Sequence, residues 1–143
     1  MTISENTLAK LHADHAYMDA LIRQIAGLCV SRGAVDSCDQ CRPNRRTLCR
    51  SNVEQLIHTF VQVTLKHNLL ESQCMEDEVP AEHRIAHNRA HARIGEQLQQ
   101  LRAIFADDGN SLVAIEGIDR VQAALDDHLI EFDEALEAYL KAA

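Results

Sequence analysis

Four long stretches of this chain carry apolar residues at steps of three and four, and on or beside each stripe stands an imidazole. That periodicity belongs to helices that bury one face, so the chain must fold around a helical core that also takes in ionisable rings. Gly33 and Pro43 bound one connection, Pro80 a second and Gly109 a third, leaving helical segments at roughly 4–31, 44–77, 81–107 and 111–141. No alternating segment argues for a sheet, and no internal repeat is evident. The expectation is an all-α fold: an antiparallel, up-down-up-down four-helix bundle forming one domain over residues 1–143, with a Cys-rich connection around residues 32–46.

The stripes identify the inward residues. In the first segment Leu8, Leu11, His15, Met18, Ile22, Ile25 and Cys29 follow the helical step. The second gives Cys49, Val53, Leu56, Phe60, Val63, His67, Leu70 and Cys74, with Ile57, Thr64 and Glu71 flanking it. The third stacks His87 and His91 above Ile94, Leu98, Leu101 and Phe105. The fourth runs through Leu125, Leu129, Phe132 and Leu136, with His128 and Asp133 on either side. Five residues apart on an α-helix, those two are spread by about 140° and lean inward from opposite flanks. Bundles build metal sites in this way, from side chains on facing helices.

Composition narrows the partners. A net charge of −8 repels a phosphate backbone, and an aromatic fraction of 3% offers few stacking platforms, so nucleic acid is a poor partner. No apolar run reaches the ~18 residues of a membrane span, and the first residues lack the basic start and apolar stretch of a secretory signal. The reading is a cytoplasmic protein without membrane attachment. In that setting the five Cys are thiols, metal ligands or redox groups more readily than a disulfide framework.

Five imidazoles and two carboxylates converging on four seams are costly to bury without a shared ion. Neutral imidazole and carboxylate suit iron, and the pairs His67/Glu71 and His87/His91 put both groups on one helix face. These residues resemble the hemerythrin family. Its pattern of a lone His, then HxxxE, HxxxH and HxxxxD, stands here in order as His15, His67 to Glu71, His87 to His91, and His128 to Asp133; Met75 and Pro80 resemble its connection between the second and third helices. The resemblance implies two non-haem iron ions with a bridging oxo or hydroxo group. His87, His91 and His128 would bind one iron and His15 and His67 the other, with Glu71 and Asp133 bridging. It further implies one open position, on the iron with two His, that takes dioxygen. No Glu stands three residues before any His, unlike ferritin-like sites, and no HExxH zinc-protease motif occurs. Of the other imidazoles, His12 flanks the seam beside His15, His58 faces solvent and His83 lies one turn before His87.

The chain departs from the family's pattern in two places. Asn68 and Ser72 stand where the family often has an aromatic and a second Glu, which predicts a wetter pocket and oxidation of the irons in preference to stable oxygen storage. The first connection carries Cys38-Asp39-Gln40-Cys41 and then Cys49, with Arg32, Arg42, Arg45, Arg46 and Arg50 around them. Cys29 and Cys49 lie on stripes that a helical hairpin brings together, so an additional four-thiolate zinc site, disulfides and plain thiols are all open. Cys74 reads as a small core residue. The leading function is oxygen or redox sensing through a di-iron centre that takes dioxygen, azide, nitric oxide or peroxide. The alternatives are a peroxidase or nitric oxide-scavenging enzyme at the same site, and a cysteine-based redox switch; no electron-transfer cofactor motif is visible to support self-sufficient catalysis.

Overall fold

A computed structural model describes residues 5–29, 38–76, 79–108 and 110–142. Arg32, Gly33 and Gly109, with the first part of the Cys-rich connection, lie outside the described residues. The chain forms helices α1 (Glu5–Gly27), α2 (Pro43–Cys74), α3 (Ala81–Asp108), α4 (Ser111–His128) and α5 (Glu134–Ala142). A short 3-10 turn spans Cys38–Gln40, and a π-helical turn spans Leu129–Asp133 between α4 and α5. No strand occurs among the described residues.

Local chemistry sets the starts of two helices. Pro43 opens α2, where its missing N–H costs nothing and its fixed φ already suits the helix. Asn110 caps α4 by accepting a hydrogen bond from the Val113 N–H at 3.2 Å. The helix α1 ends at Gly27, so Cys29 lies two residues past it and not on its last turn.

The helices pack in a ring. The helix α1 lies against α2 and α4, and α3 also lies against α2 and α4, closing a bundle around one apolar core. Ile25, Phe60, Leu98 and Ile115, one from each long helix, are fully buried there. At the Gly117 turn of α4, a Cβ would stand 2.6 Å from Leu101 Cδ1, so glycine is what lets the α3 side chain fill that space. A second, smaller apolar cluster of Met75, Val79, Leu136 and Leu140 closes the other end. The polar residues singled out in the sequence fall between these two clusters.

Two stripes differ from the sequence expectation. On α2 the buried line runs through Ile57, Thr64 and Glu71, while Leu56, Val63 and Leu70 are only half-buried, so the inner face is turned toward the residues that flank the predicted stripe. On the last segment Leu129 is 37% exposed, although an uninterrupted α-helix would continue the line from Leu125 through it. Leu129 itself still continues α4, its N–H bonding to Leu125 O, and the π turn begins there: the backbone N–H of Glu134 bonds to Leu129 O, five residues back, and the extra residue in that turn shifts everything after it. Among the described residues no helix is long and apolar enough to cross a membrane.

Candidate metal centre

Each helix delivers its polar residues to one layer. On α2, the four-residue step sets His67 Nε2 3.4 Å from Glu71 Oε1. The same step on α3 stacks the rings of His87 and His91 with centroids 4.4 Å apart. After α4 the spacing is five residues, and the π turn makes it work. With an i to i+5 repeat, His128 and Asp133 share a face instead of opposing flanks, and His128 Nε2 is 3.0 Å from Asp133 Oδ1. The helix α1 supplies the half-buried His15, whose ring packs edge-on against His67 at 4.5 Å.

The seven residues singled out from the sequence fall into two groups whose ligand atoms lie within 4.8 Å of one another: Glu71, His87, His91, His128 and Asp133, and His15, His67, Glu71 and Asp133. Both carboxylates belong to both groups. Asp133 turns Oδ1 toward His87 at 2.9 Å and Oδ2 toward His15 at 3.3 Å. Glu71 Oε1 stands 3.1 Å from His91 Nε2 and 3.4 Å from His67 Nε2.

The donor set fits a metal. His87 Nδ1 meets His83 Nε2 at 3.0 Å, and Nε2 of His87 faces His128 Nε2 at 3.1 Å. Asp14 Oδ2 approaches His67 Nδ1 at 3.1 Å, which puts a ring proton on Nδ1 and turns Nε2 toward the Glu71 carboxylate with no hydrogen bond between them. Lone pairs converge in both places, and a cation is what reconciles them. The spacing is also informative. Adjacent ligands of an octahedral ion at roughly 2.1 Å stand about 3.0 Å apart, and those of a tetrahedral ion about 3.4 Å. His87 Nε2, His128 Nε2 and Asp133 Oδ1 form a triangle with edges of 2.9, 3.0 and 3.1 Å, close enough for one ion to touch all three.

Without a metal, protons compensate the charges. Burial works to raise Asp133, but His128, His15 and His87 outweigh it and hold the carboxyl well below the usual range. Burial likewise works to raise Glu71, but the rings of His67 and His91 outweigh it and hold the carboxyl below its ordinary value. Burial opposes charge on His67, yet Glu71 and then Asp14 hold its ring above the ordinary value. At His91 burial prevails over Glu71, and the ring is depressed. Neutral imidazoles and ionised carboxylates are the forms that bind metal.

Sequence reasoning missed two residues that orient the rings. Asp14 is buried against His67, and its position was legible as the step between Leu11 and Met18; a carboxylate beside the more conspicuous His15 was passed over. His83, one turn before His87 in the sequence, meets the Nδ1 of that ring. Such partners of a ligand's other ring nitrogen fix its tautomer. His12 pairs instead with Glu137 near the surface at 3.0 Å, and His58 is exposed.

A cavity of about 170 Å³ opens beside His15, His67, His128 and Asp133. Its wall includes Met18, Ile22 and Leu125, together with Asn68, which is 8% exposed and whose Nδ2 has no partner. Glu71, His87 and His91 do not line it. Ser72 does not contribute to its polarity: the hydroxyl is bound to Asn88 Oδ1 at 2.8 Å.

The thiols are not gathered around an ion. Among the described residues neither group with metal-ligand spacing contains a cysteine, and all five cysteines are unpaired. Cys29 and Cys49 pack against the apolar core, while Cys38 is tied to the start of α4. Compared with protein-family models, curated proteins and solved structures, the chain matches none.

Proposed function

We propose that this chain is a di-iron protein of the hemerythrin type, an antiparallel up-down-up-down bundle that takes up dioxygen and serves oxygen or redox sensing in the cytoplasm. The observation that carries the reading is the pair of ligand groups sharing Glu71 and Asp133, with a cavity that reaches both His15 and His67 of one group but only His128 among the three imidazoles of the other. His87, His91 and His128 would hold one iron, and His15 and His67 the other, bridged by the two carboxylates. Imidazole and carboxylate donors, with no thiolate in either group, suit iron.

Two ferrous ions, when bound, supply two electrons to dioxygen. The chain's own residues do the rest. Asp14 keeps a proton on His67 Nδ1, leaving Nε2 for the ion. Met18, Ile22 and Leu125 limit the cavity to small molecules, and Asn68 Nδ2 offers it an unused hydrogen-bond donor. Asp19, Gln122 and Asp126 add polar groups to a mainly apolar wall, a route for water and protons that favours oxidation over reversible storage.

Loading the protein with ferrous iron without air, then mixing it with oxygen, tests this. A transient visible band that decays to a ferric form, which in turn binds azide, is the expected result. A long-lived adduct reversible under vacuum contradicts sensing and favours storage. Rapid consumption of peroxide with an external reductant favours the enzyme. A folded, iron-loaded protein that responds to neither oxygen nor azide overturns the reading.

A further inference from the structure

We propose that Cys38 and Cys41 form a thiol–disulfide exchange site that reacts with low-molecular-weight disulfides and, when oxidised, releases the Leu112 N–H at the start of α4. The inference is independent of the metal centre. The two cysteines close one 3-10 turn, with the Cys41 N–H donating to Cys38 O at 3.0 Å. Side chains three apart in such a turn eclipse, and its rise of roughly 6 Å over three residues lies within the ~4.4–6.8 Å between Cα atoms that a disulfide spans.

The pair is asymmetric. Cys38 Sγ accepts a hydrogen bond from the Leu112 N–H at 3.3 Å and donates to Asn110 Oδ1 at 3.0 Å, so it sits at the first turn of α4. The free N–H groups of a helix start point outward, and the one on Leu112 is directed at the Cys38 sulfur. Cys38 is therefore the attacking thiol and Cys41 the resolving one. Both are half-buried and Arg42 and Arg45, exposed just beyond them, offer positive charge to a disulfide that carries carboxylates. The other cysteines are placed differently. Cys29 and Cys49 pack against the main core and Cys74 against the smaller apolar cluster; burial, then Glu71, pushes the Cys74 thiol up.

The exchange balances without another reactant. Cys38 attacks one sulfur of the disulfide, whose S–S bond breaks, and the first small thiol leaves with the Cys38 proton. Cys41 then attacks the Cys38 sulfur, forming the intramolecular bond and releasing the second small thiol with its own proton. The protein loses two electrons and two protons and the small disulfide gains them. Drawn toward Cys41, the Cys38 sulfur leaves Asn110 and the Leu112 N–H.

The test treats the full-length, metal-loaded protein with oxidised glutathione, alkylates the remaining thiols and maps the products by mass. A Cys38–Cys41 disulfide is expected, with Cys29, Cys49 and Cys74 still alkylated. Cys41→Ser should trap glutathione on Cys38, whereas Cys38→Ser should leave Cys41 reacting at least ~10-fold more slowly. Amide exchange at Leu112 should quicken on oxidation of the wild type and stay unchanged in the double Ser variant given the same treatment. Preferential reaction at Cys29 or Cys49, equal rates in the two single variants, or unchanged exchange at Leu112 after the disulfide forms would each overturn the proposal.

Discussion

Replacing Asp14 by Asn preserves the volume of a buried side chain and removes its charge. Asp14 Oδ2 lies 3.1 Å from His67 Nδ1, and the two side chains are only 10% and 2% exposed. The carboxylate holds the ring proton on Nδ1 and makes Nε2 the more basic nitrogen for an ion. An amide oxygen still accepts that proton but without the charge, and lost outer partners of this kind reduce metal affinity roughly 10–100-fold. That corresponds to about 1.4–2.7 kcal/mol. Lys10, which pairs with Asp14 from the other side, is 63% exposed, and such a surface pair contributes at most about 1 kcal/mol. Lys10→Ala is therefore the control, with an effect well below that of Asp14→Asn. Ferrous titration without air should show one weakened iron and one unchanged, because Asp14 touches His67 and none of His87, His91 and His128. Two irons bound as in the wild type, or both weakened equally, would refute the assignment of Asp14 to the two-His half.

Three further outcomes follow from the same geometry. In the metal-free protein His67 is held above its ordinary value, burial being outweighed by Glu71 and Asp14, so its contribution is fully present below about pH 6.5 and is lost as pH rises through the higher folded value. The iron-loaded protein, whose rings must be neutral, should instead hold or gain stability over that range, and parallel melting trends for the two forms would contradict the ligand role of His67. Asn68→Ala should leave iron content unchanged and weaken azide binding to the oxidised protein about tenfold, through loss of the free Nδ2 donor; undiminished azide affinity would exclude that contact. Leu98→Ala, at a fully buried position remote from the polar layer, should destabilise the fold by about 2–5 kcal/mol in chemical denaturation without changing the iron bound per folded chain.

The long helices were legible because buried stripes repeat at the helical step, and the seven polar residues were legible because they interrupt those stripes. What the sequence left hidden depends on backbone deviations and on partners outside the stripe. The π turn after His128 cannot be inferred from periodicity, since five residues on an α-helix read as opposite flanks. The inner face of α2 is centred on Ile57, Thr64 and Glu71 because Thr64 and Glu71 are buried polar residues that an apolar count discounts. Asp14 escaped notice for the same reason, a carboxylate being assigned to solvent until its partner is seen. The facing of Cys29 and Cys49 toward the core was legible, whereas the tie from Cys38 to the start of α4 spans 74 residues to Leu112 and leaves no local signal.

The central claim is that one polar layer holds two irons between Glu71 and Asp133. Loading the metal-free protein with isotopically enriched ferrous iron, oxidising it and recording iron content with a Mössbauer spectrum tests it most directly. The account predicts about two irons per chain, coupled through their shared bridges into a ground state without net spin. One uncoupled iron per chain, or none while the helical circular dichroism stays intact, would contradict it.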